Sequence, residues 1–154
     1  YFCSDLALMD EDGYLWVVGR SDDAFNVAGH RLSTMEMESA VLECEGVAEA
    51  AVIGIPDPIK GEVPLVFARL AAGIDASDNM KEKIAASIVQ QIGKIAKPKY
   101  IILADTLPKT VSGKIMRRLL KEIIIEGSVI SDVTGLENPE AVNHIHDLIQ
   151  PLKS

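Results

Sequence analysis

Residues 107–120 read LPKTVSGKIMRRLL, and this stretch decides how the rest of the chain is interpreted. Its first half is rich in small residues and ends at Lys114, with Gly113 providing backbone freedom at a turn. Apolar residues then recur at the spacing of a helix that faces a core, namely Ile115, Leu119 and Ile123. The pattern predicts a loop that presents the Lys114 ammonium at the start of a helix, where it can reach a phosphate or a carboxylate. From spacing alone, a solvated lysine without a function is the more common case.

The composition is that of an ordered globular protein. Hydrophobic residues make up 48% of the 154-residue chain and charged residues 25%, which is typical of one folded domain, with or without a tail. No apolar run approaches the roughly 20 residues that a transmembrane helix requires. The two cysteines, Cys3 and Cys44, form neither a disulfide framework nor a Cys-x-x-Cys pair. We therefore expect a cytoplasmic protein without a membrane partner.

The charge is distributed unevenly along the chain. A formal net charge of -8 argues against a nucleic-acid partner held by phosphate neutralisation. Residues 94–121 nevertheless contain eight of the fifteen Lys and Arg residues and a single acid, Asp105. The eight basic residues are Lys94, Lys97, Lys99, Lys109, Lys114, Arg117, Arg118 and Lys121. A locally basic surface on an acidic protein suits a small polyanion such as a nucleotide.

The N-terminal residues predict a β-hairpin followed by a boundary. Residues 6–9 and 14–18 are runs of strand-forming residues on either side of an Asp12-Gly13 turn, which is the pattern of two antiparallel strands. The polar, turn-prone residues 19–23 then predict a boundary between this hairpin and a compact body.

The rest of the chain predicts alternating helices and strands. Residues 25–32 show neither the apolar spacing of a helix nor the alternation of a strand. The small pair Ala28-Gly29 predicts a close approach of another backbone or a ligand. A capping box at Ser33 and Glu36 starts the next helix. The expected elements are a helix at 33–46, strands at 47–55 and 62–70 that pair antiparallel, a helix at 80–93, a strand at 100–103, and helices at 115–126 and 139–149. This order predicts an α+β fold with a small mixed sheet flanked by helices, preceded by the N-terminal hairpin.

Two long motifs resemble those of the AMP-forming adenylating enzymes. Residues 19–32, GRSDDAFNVAGHRL, followed by EME at 36–38, are similar to the linker-and-loop signature of that superfamily. Residues 108–118, PKTVSGKIMRR, resemble its C-terminal lysine motif, in the form found in acyl-CoA synthetases of the acetyl-CoA synthetase type. The motifs occur in the family's order, and the resemblance extends over nearly the whole chain. Because of this resemblance, a functional Lys114 becomes the favoured interpretation in place of a solvated lysine without a function.

The resemblance implies that the chain is the mobile C-terminal domain of an acid–thiol ligase. It starts at Tyr1 without an initiating Met, and we expect the large N-terminal domain, which holds most of the active site, to be missing. Such an enzyme uses ATP, Mg²⁺ (bound mainly by the N-terminal domain) and coenzyme A. It first converts a short-chain carboxylate to an acyl-adenylate, and the thiol of coenzyme A then displaces AMP. The expected division is a hairpin and link at 1–20, the mobile domain at 21–127 and a C-terminal extension at 128–154; the chain alone should be inactive.

The resemblance also assigns roles to individual residues. Lys114 matches the lysine that steadies the carboxylate and the α-phosphate during adenylation, and Asp22 matches the hinge about which the domain rotates between the two steps. No metal ligand is expected in this chain. Nucleotide contacts are expected from Asp5, Arg20 and Arg31, and the pantetheine of coenzyme A is expected to pass Ala28 and Gly29.

Two departures and several alternatives remain open. Cys3-Ser4-Asp5 stands where the family has Thr-Gly-Asp, and Val89-Gln90 stands where an arginine would hold the nucleotide end of coenzyme A. In the absence of that arginine, we expect the contact with the nucleotide end of coenzyme A to come from Lys94, Lys97 or Lys99. The alternatives are another adenylating enzyme, of the peptide-synthetase or luciferase type, and a non-catalytic module that docks an acidic domain. Lys114 is also a candidate for reversible acetylation by a lysine acetyltransferase and a deacetylase, which would remove its charge.

Overall fold

The computed structural model of the protein describes the backbone of residues 5–20 and 23–152 and the side chains of residues 7–17 and 23–151. Within these residues, a two-stranded hairpin precedes a five-stranded mixed sheet that is flanked by α-helices. The predicted α+β fold class is confirmed. No helix in the described part of the chain is both long enough and apolar enough to cross a bilayer.

The N-terminal hairpin is confirmed and is longer than predicted. Strand β1, Asp5–Met9, pairs antiparallel with β2, Leu15–Arg20. The Asp10 carboxylate organises the turn, because it accepts the backbone N–H of Tyr14 at 2.9 Å and the Trp16 indole N–H at 2.9 Å. The indole bond and then the Tyr14 amide bond lower the pKa of Asp10. Strand β2 extends to Arg20, within residues 19–23 where the boundary is predicted, and the division of the chain at this point stays a prediction.

A second hairpin replaces the irregular segment expected at residues 25–32. Strand β3, Ala24–Val27, pairs antiparallel with β4, His30–Ser33. The two-residue connection has positive φ at both positions, 49° at Ala28 and 85° at Gly29. Asn-Gly is the usual sequence signature of such a turn, and alanine at the first position concealed it. A tertiary hydrogen bond from Ala28 N–H to the Lys60 carbonyl, 2.8 Å long, holds this residue in its unfavourable conformation.

The main sheet is built around one long antiparallel pair. Strand β5, Val47–Asp57, pairs with β6, Gly61–Leu70, as predicted. Strand β3 contacts the start of β6, and β7, Tyr100–Leu103, pairs with β6 in parallel. The β5–β6 turn is held by the Asp57 carboxylate, whose hydrogen bonds from the Lys60 and Ile59 amides and from Lys99 lower its pKa to about 2.

Helices cover both faces of the sheet and create two core clusters. Helices α1, Thr34–Leu42, and α2, Asp78–Gln91, enclose one cluster; α3, Arg117–Glu126, and α4, Glu140–Ile149, enclose the other. Alternate β5 side chains enter opposite clusters, which explains why residues 50–55 form an unbroken apolar run rather than an alternating one. The first cluster includes Val52, Met37 and Ile84; the second includes Ile53, Leu120, Ile123, Ile145 and Ile149. Residues of the expected C-terminal extension thus contribute to this second cluster.

Replacing Gly54 by alanine should destabilise the fold. A Cβ atom at Gly54 in β5 would lie 2.6 Å from both Cβ and Cγ of the buried Phe25. Overpacking of this kind costs about 1–3 kcal/mol, and urea unfolding of the chain should show that decrease in the free energy of unfolding. The double variant Phe25→Ala/Gly54→Ala should lose less than the sum of its two single losses, because alanine at position 25 removes Cγ and the ring and leaves only the Cβ contact. An unchanged unfolding midpoint for Gly54→Ala would contradict the packing of β3 over β5.

Candidate functional site

The loop that carries Lys114 is a tight hairpin. We call residues 109–115 the lysine loop. Lys109 and Ile115 form an antiparallel bridge at its base. Inside it, the Thr110 N–H donates to the Lys114 carbonyl at 2.9 Å, and the Lys114 N–H donates to Thr110 Oγ1 at 3.1 Å. Gly113 has a φ of 82°, which a glycine adopts without strain. The backbone N–H and carbonyl of Lys114 are therefore both hydrogen-bonded to Thr110, one to its hydroxyl oxygen and the other to its N–H.

The predicted position of Lys114 at the start of a helix is wrong. Helix α3 begins at Arg117, and Met116 at its N-cap makes no side-chain capping bond. The Met116 N–H instead donates to the Pro108 carbonyl at 2.8 Å and extends the pairing at the base of the lysine loop. Ile115, predicted to face the core from the helix, is only partly buried. The apolar spacing indicated the helix correctly, but it did not distinguish its first turn from the end of the hairpin.

The tip of the lysine loop faces solvent. Lys114 is exposed, and the neighbouring Val111 is 75% exposed. The Thr110 and Ser112 hydroxyl oxygens lie 2.9 Å apart beside it. Among the residues that the structure describes, no carboxylate forms an ion pair with the Lys114 ammonium. The charge is therefore available to an anion outside this chain.

An ion-pair cluster anchors the base of the lysine loop. Lys109 Nζ lies 2.5 Å from Glu49 Oε1, and Arg69 Nη2 lies 2.9 Å from the same oxygen. Burial would raise the pKa of Glu49, but hydrogen bonds from Arg69 and Lys109 outweigh it and lower the pKa. Glu49 Oε2 is buried without a hydrogen-bond partner among the described residues. The side chains of Lys109, Arg69 and Glu49 thus bind one another and stabilise the fold, so we do not expect them to bind a ligand.

A second ion pair fixes the start of α3. The buried Glu38 of α1 accepts two hydrogen bonds from Arg117, from Nε to Oε1 at 2.6 Å and from Nη2 to Oε2 at 2.5 Å. Oε1 also accepts the Val52 N–H at 2.9 Å. The hydrogen bond to Glu38 is the main cause of the raised pKa of Arg117. One carboxylate thus joins α1, β5 and the residue at which the lysine loop leads into α3.

The chain after α3 folds back over the lysine loop. We call residues 130–138 the strap. Glu122 Oε2 on α3 accepts the backbone N–H groups of Ile130 and Ser131 at its beginning. Further along, the Gly135 carbonyl accepts the Val111 N–H at 3.1 Å, and the Glu137 N–H donates to the Lys109 carbonyl at 2.9 Å. The strap therefore runs beside the lysine loop, and Thr110 and Leu136 form an isolated antiparallel bridge between them.

The other predicted site residues lie on the two hairpins. Asp5 and Arg20 are register partners at the open end of the β1–β2 ladder, so the backbone brings them together. Arg31 lies exposed on β4, close in sequence to the exposed Ala28-Gly29 turn. A Cβ atom at Gly29 would meet nothing within 4 Å, so its positive φ, rather than crowding within this chain, selects glycine there. The predicted hinge, Asp22, lies outside the described residues.

Sequence reasoning assigned no role to three polar residues that support the lysine loop: Glu38, Glu49 and Asn138. Glu38 belongs to the EME motif, and a carboxylate next to the apolar stripe of α1 was the available indication of burial. Glu49 is a charged residue near the start of the predicted buried strand. No local pattern in the sequence predicted that it would pair with Lys109 and Arg69. Within the described residues, no group of three or more His, Cys, Asp or Glu side chains is arranged to hold a metal ion.

Comparisons with known proteins agree with the resemblance. The family described as AMP-binding enzyme C-terminal domain matches residues 36–114. The chain is 45% identical over all 154 residues to the acetyl-coenzyme A synthetase of Pyrobaculum aerophilum, and 48% identical over 149 residues, 94% of its length, to that of Pasteurella multocida. It spans 23% of the length of each. The crystal structure of Brucella canis acyl-CoA synthetase matches 81% of the chain, and 23% of its own length, with a TM-score of 0.66 at 36% identity.

Proposed function

The chain belongs to the AMP-binding enzyme C-terminal domain family, and from that membership we propose that it is the C-terminal domain of an AMP-forming acid–thiol ligase of the acetyl-CoA synthetase type. Acetate or another short-chain carboxylate attacks the α-phosphate of ATP, giving an acyl-adenylate and pyrophosphate. The thiol of coenzyme A then attacks the acyl carbon, and AMP leaves. The observation that carries the proposal is the exposed Lys114 ammonium on a hydrogen-bonded hairpin.

Lys114 serves the first step. A carboxylate that attacks a phosphate brings two anions together, and a cation placed between them offsets their repulsion most strongly as the new bond forms. The lysine loop suits this task because its backbone is fixed at Lys114 while the side chain extends into solvent. The short-chain acid and most of the ATP bind in the N-terminal domain, so Lys114 acts only while the two domains are docked.

Rotation of the domain about Asp22 serves the second step. The rotation withdraws Lys114 and brings the Ala28-Gly29 turn beside the path of coenzyme A. That turn is exposed and has no side chain larger than a methyl group, which leaves room for a narrow pantetheine chain. Bulk introduced at Gly29 should therefore obstruct thioester formation more than adenylation.

The two hairpins supply the nucleotide contacts. Asp5 and Arg20 are register partners in the β1–β2 ladder, and a carboxylate acceptor and a guanidinium donor are the groups that suit the two hydroxyls of a ribose. Arg31 on β4 provides a donor for a phosphate oxygen. Mg²⁺ is held mainly by the N-terminal domain, where it would offset the charge of the ATP phosphates.

The first hairpin supports an N-terminal domain as the partner. Its large apolar side chains are exposed, including Leu8 at 64%, Met9 at 72%, Leu15 at 69% and Trp16 at 63%. Contiguous apolar patches on a surface typically mark a contact with another domain or protein. The full enzyme would reside in the cytoplasm, where acetylation of Lys114 by a lysine acetyltransferase would remove the charge that adenylation requires and a deacetylase would restore it.

The test is to assay both half-reactions in the full-length enzyme. We expect acetate-dependent exchange of pyrophosphate into ATP, and release of AMP from acetyl-adenylate that depends on coenzyme A. The 154-residue chain alone should catalyse neither reaction. Exchange without coenzyme A-dependent AMP release would identify a different adenylating enzyme. The absence of exchange with any short-chain acid would contradict the proposal.

A further inference from the structure

We propose that Asn138 is a positioning residue for Lys114, acting through the base of the lysine loop. The inference rests on the proposed function, in which Lys114 serves adenylation. Asn138 follows the lysine loop in the sequence, with helix α3 between them. It contacts neither the Lys114 side chain nor the solvent-facing tip of the loop.

Asn138 uses all parts of its amide on the segment that leads into the loop. Oδ1 accepts the Lys109 N–H at 2.9 Å. Nδ2 donates to the Leu107 carbonyl at 2.9 Å and to Thr106 Oγ1 at 3.0 Å. The side chain thereby satisfies backbone groups on both sides of Pro108, whose ring nitrogen has no hydrogen to donate. The path of the chain into the lysine loop is fixed by this one partly buried amide.

The second cluster of the core fixes Asn138 in turn. Its carbonyl accepts the Ala141 N–H at 3.0 Å in the first turn of α4. Helix α4 buries Ala141, Ile145 and Ile149 at no more than 1% exposure. The amide is therefore anchored to a helix that cannot shift without disturbing the core.

A short path of hydrogen bonds leads from Asn138 to Lys114. Asn138 holds the Lys109 N–H, and the Glu137 N–H holds the Lys109 carbonyl at 2.9 Å. The next residue, Thr110, bonds Lys114 through both its N–H and its hydroxyl oxygen. Only residues 111–113 lie between Thr110 and Lys114 in the sequence. A displacement at Lys109 would therefore be passed directly to the peptide groups of Lys114.

The test compares Asn138→Ala, Asn138→Asp and the control Ser131→Ala in the full-length enzyme. Ser131 lies in the same strap and donates from its hydroxyl to Glu122 Oε2 at 2.7 Å, away from the lysine loop. Asn138→Ala should lower kcat for acyl-adenylate formation by about 10- to 100-fold, because a misplacement near 1 Å can cost that much. The KM for ATP and the rate of thioester formation from supplied acyl-adenylate should not change. Ser131→Ala should leave both half-reactions unchanged.

Two further readouts separate positioning from general destabilisation. Asn138→Asp keeps an acceptor for the Lys109 N–H but places a carboxylate oxygen against the Leu107 carbonyl, where Nδ2 donates in the wild type, so it should recover at most a small part of the adenylation rate. Amide hydrogen exchange in residues 109–114 of the intact enzyme should become faster in Asn138→Ala, while exchange in α2 stays unchanged. Unchanged adenylation in Asn138→Ala, equal loss of both half-reactions, or unchanged amide exchange in residues 109–114 would overturn the inference. If the wild-type enzyme itself forms no acyl-adenylate, the proposed function fails instead, and the exchange measurement still tests the contact.

Discussion

Lys114→Ala in the full-length enzyme should slow acyl-adenylate formation by about 10²–10³-fold, the usual cost of removing one preorganised donor from a developing anion. Thioester formation from supplied acyl-adenylate should keep its rate, because in the proposed function the lysine loop has left the active site by that step. The measurement is single-turnover kinetics of each half-reaction. The exposure of Lys114, and the absence of a carboxylate partner for it among the described residues, leave its charge available for the first half-reaction.

Two variants sharpen the Lys114 experiment. Lys83→Ala removes another exposed lysine, on α2, and should leave both half-reactions unchanged. Lys114→Arg keeps a positive charge but replaces a compact ammonium by a wide planar fork, so only part of the activity should return. Equal loss of both half-reactions in Lys114→Ala would show that its assigned role is wrong.

The second large effect concerns stability. Glu38→Ala should lower the free energy of unfolding by about 3 kcal/mol, near the lower end of the range for breaking a buried ion pair, because the Arg117 side chain keeps part of its contact with solvent. The variant leaves the Arg117 guanidinium without its bidentate acceptor and the Val52 N–H without its own. Urea unfolding of the chain measures this loss, because a lower free energy of unfolding shifts the midpoint of the transition to a lower urea concentration.

Matched variants isolate the Glu38–Arg117 pair. Glu45→Gln changes an exposed carboxylate in the turn after α1 and should alter stability by less than about 0.5 kcal/mol. The double variant Glu38→Met/Arg117→Met should recover part of the loss, since no unpaired charge remains. Recovery should stop short of the wild type because the Val52 N–H still lacks an acceptor. A Glu38→Ala variant as stable as Glu45→Gln would contradict this account.

The sequence was sufficient for the elements whose pattern is local. The spacing of Met80, Ile84 and Ile88 predicted α2, and the capping box at Ser33 predicted the start of α1, where the Ser33 side chain accepts the Glu36 N–H. The two apolar runs on either side of the Asp57 turn predicted the β5–β6 pair. In each case the information lies within one turn of helix or one strand, because periodicity reflects which side of a single element faces the core.

Only the tertiary structure decided how the lysine loop is held. Lys109 meets Glu49 across 60 residues of sequence, Arg117 meets Glu38 across 79, and Lys109 meets Asn138 across 29. The Ala28-Gly29 turn likewise depends on the Lys60 carbonyl. No local pattern encodes such pairs, because a polar side chain gains a partner only after the sheet and helices have brought distant segments together. The motif in the sequence thus predicts which lysine acts, whereas the folded core and the strap set the position of its backbone.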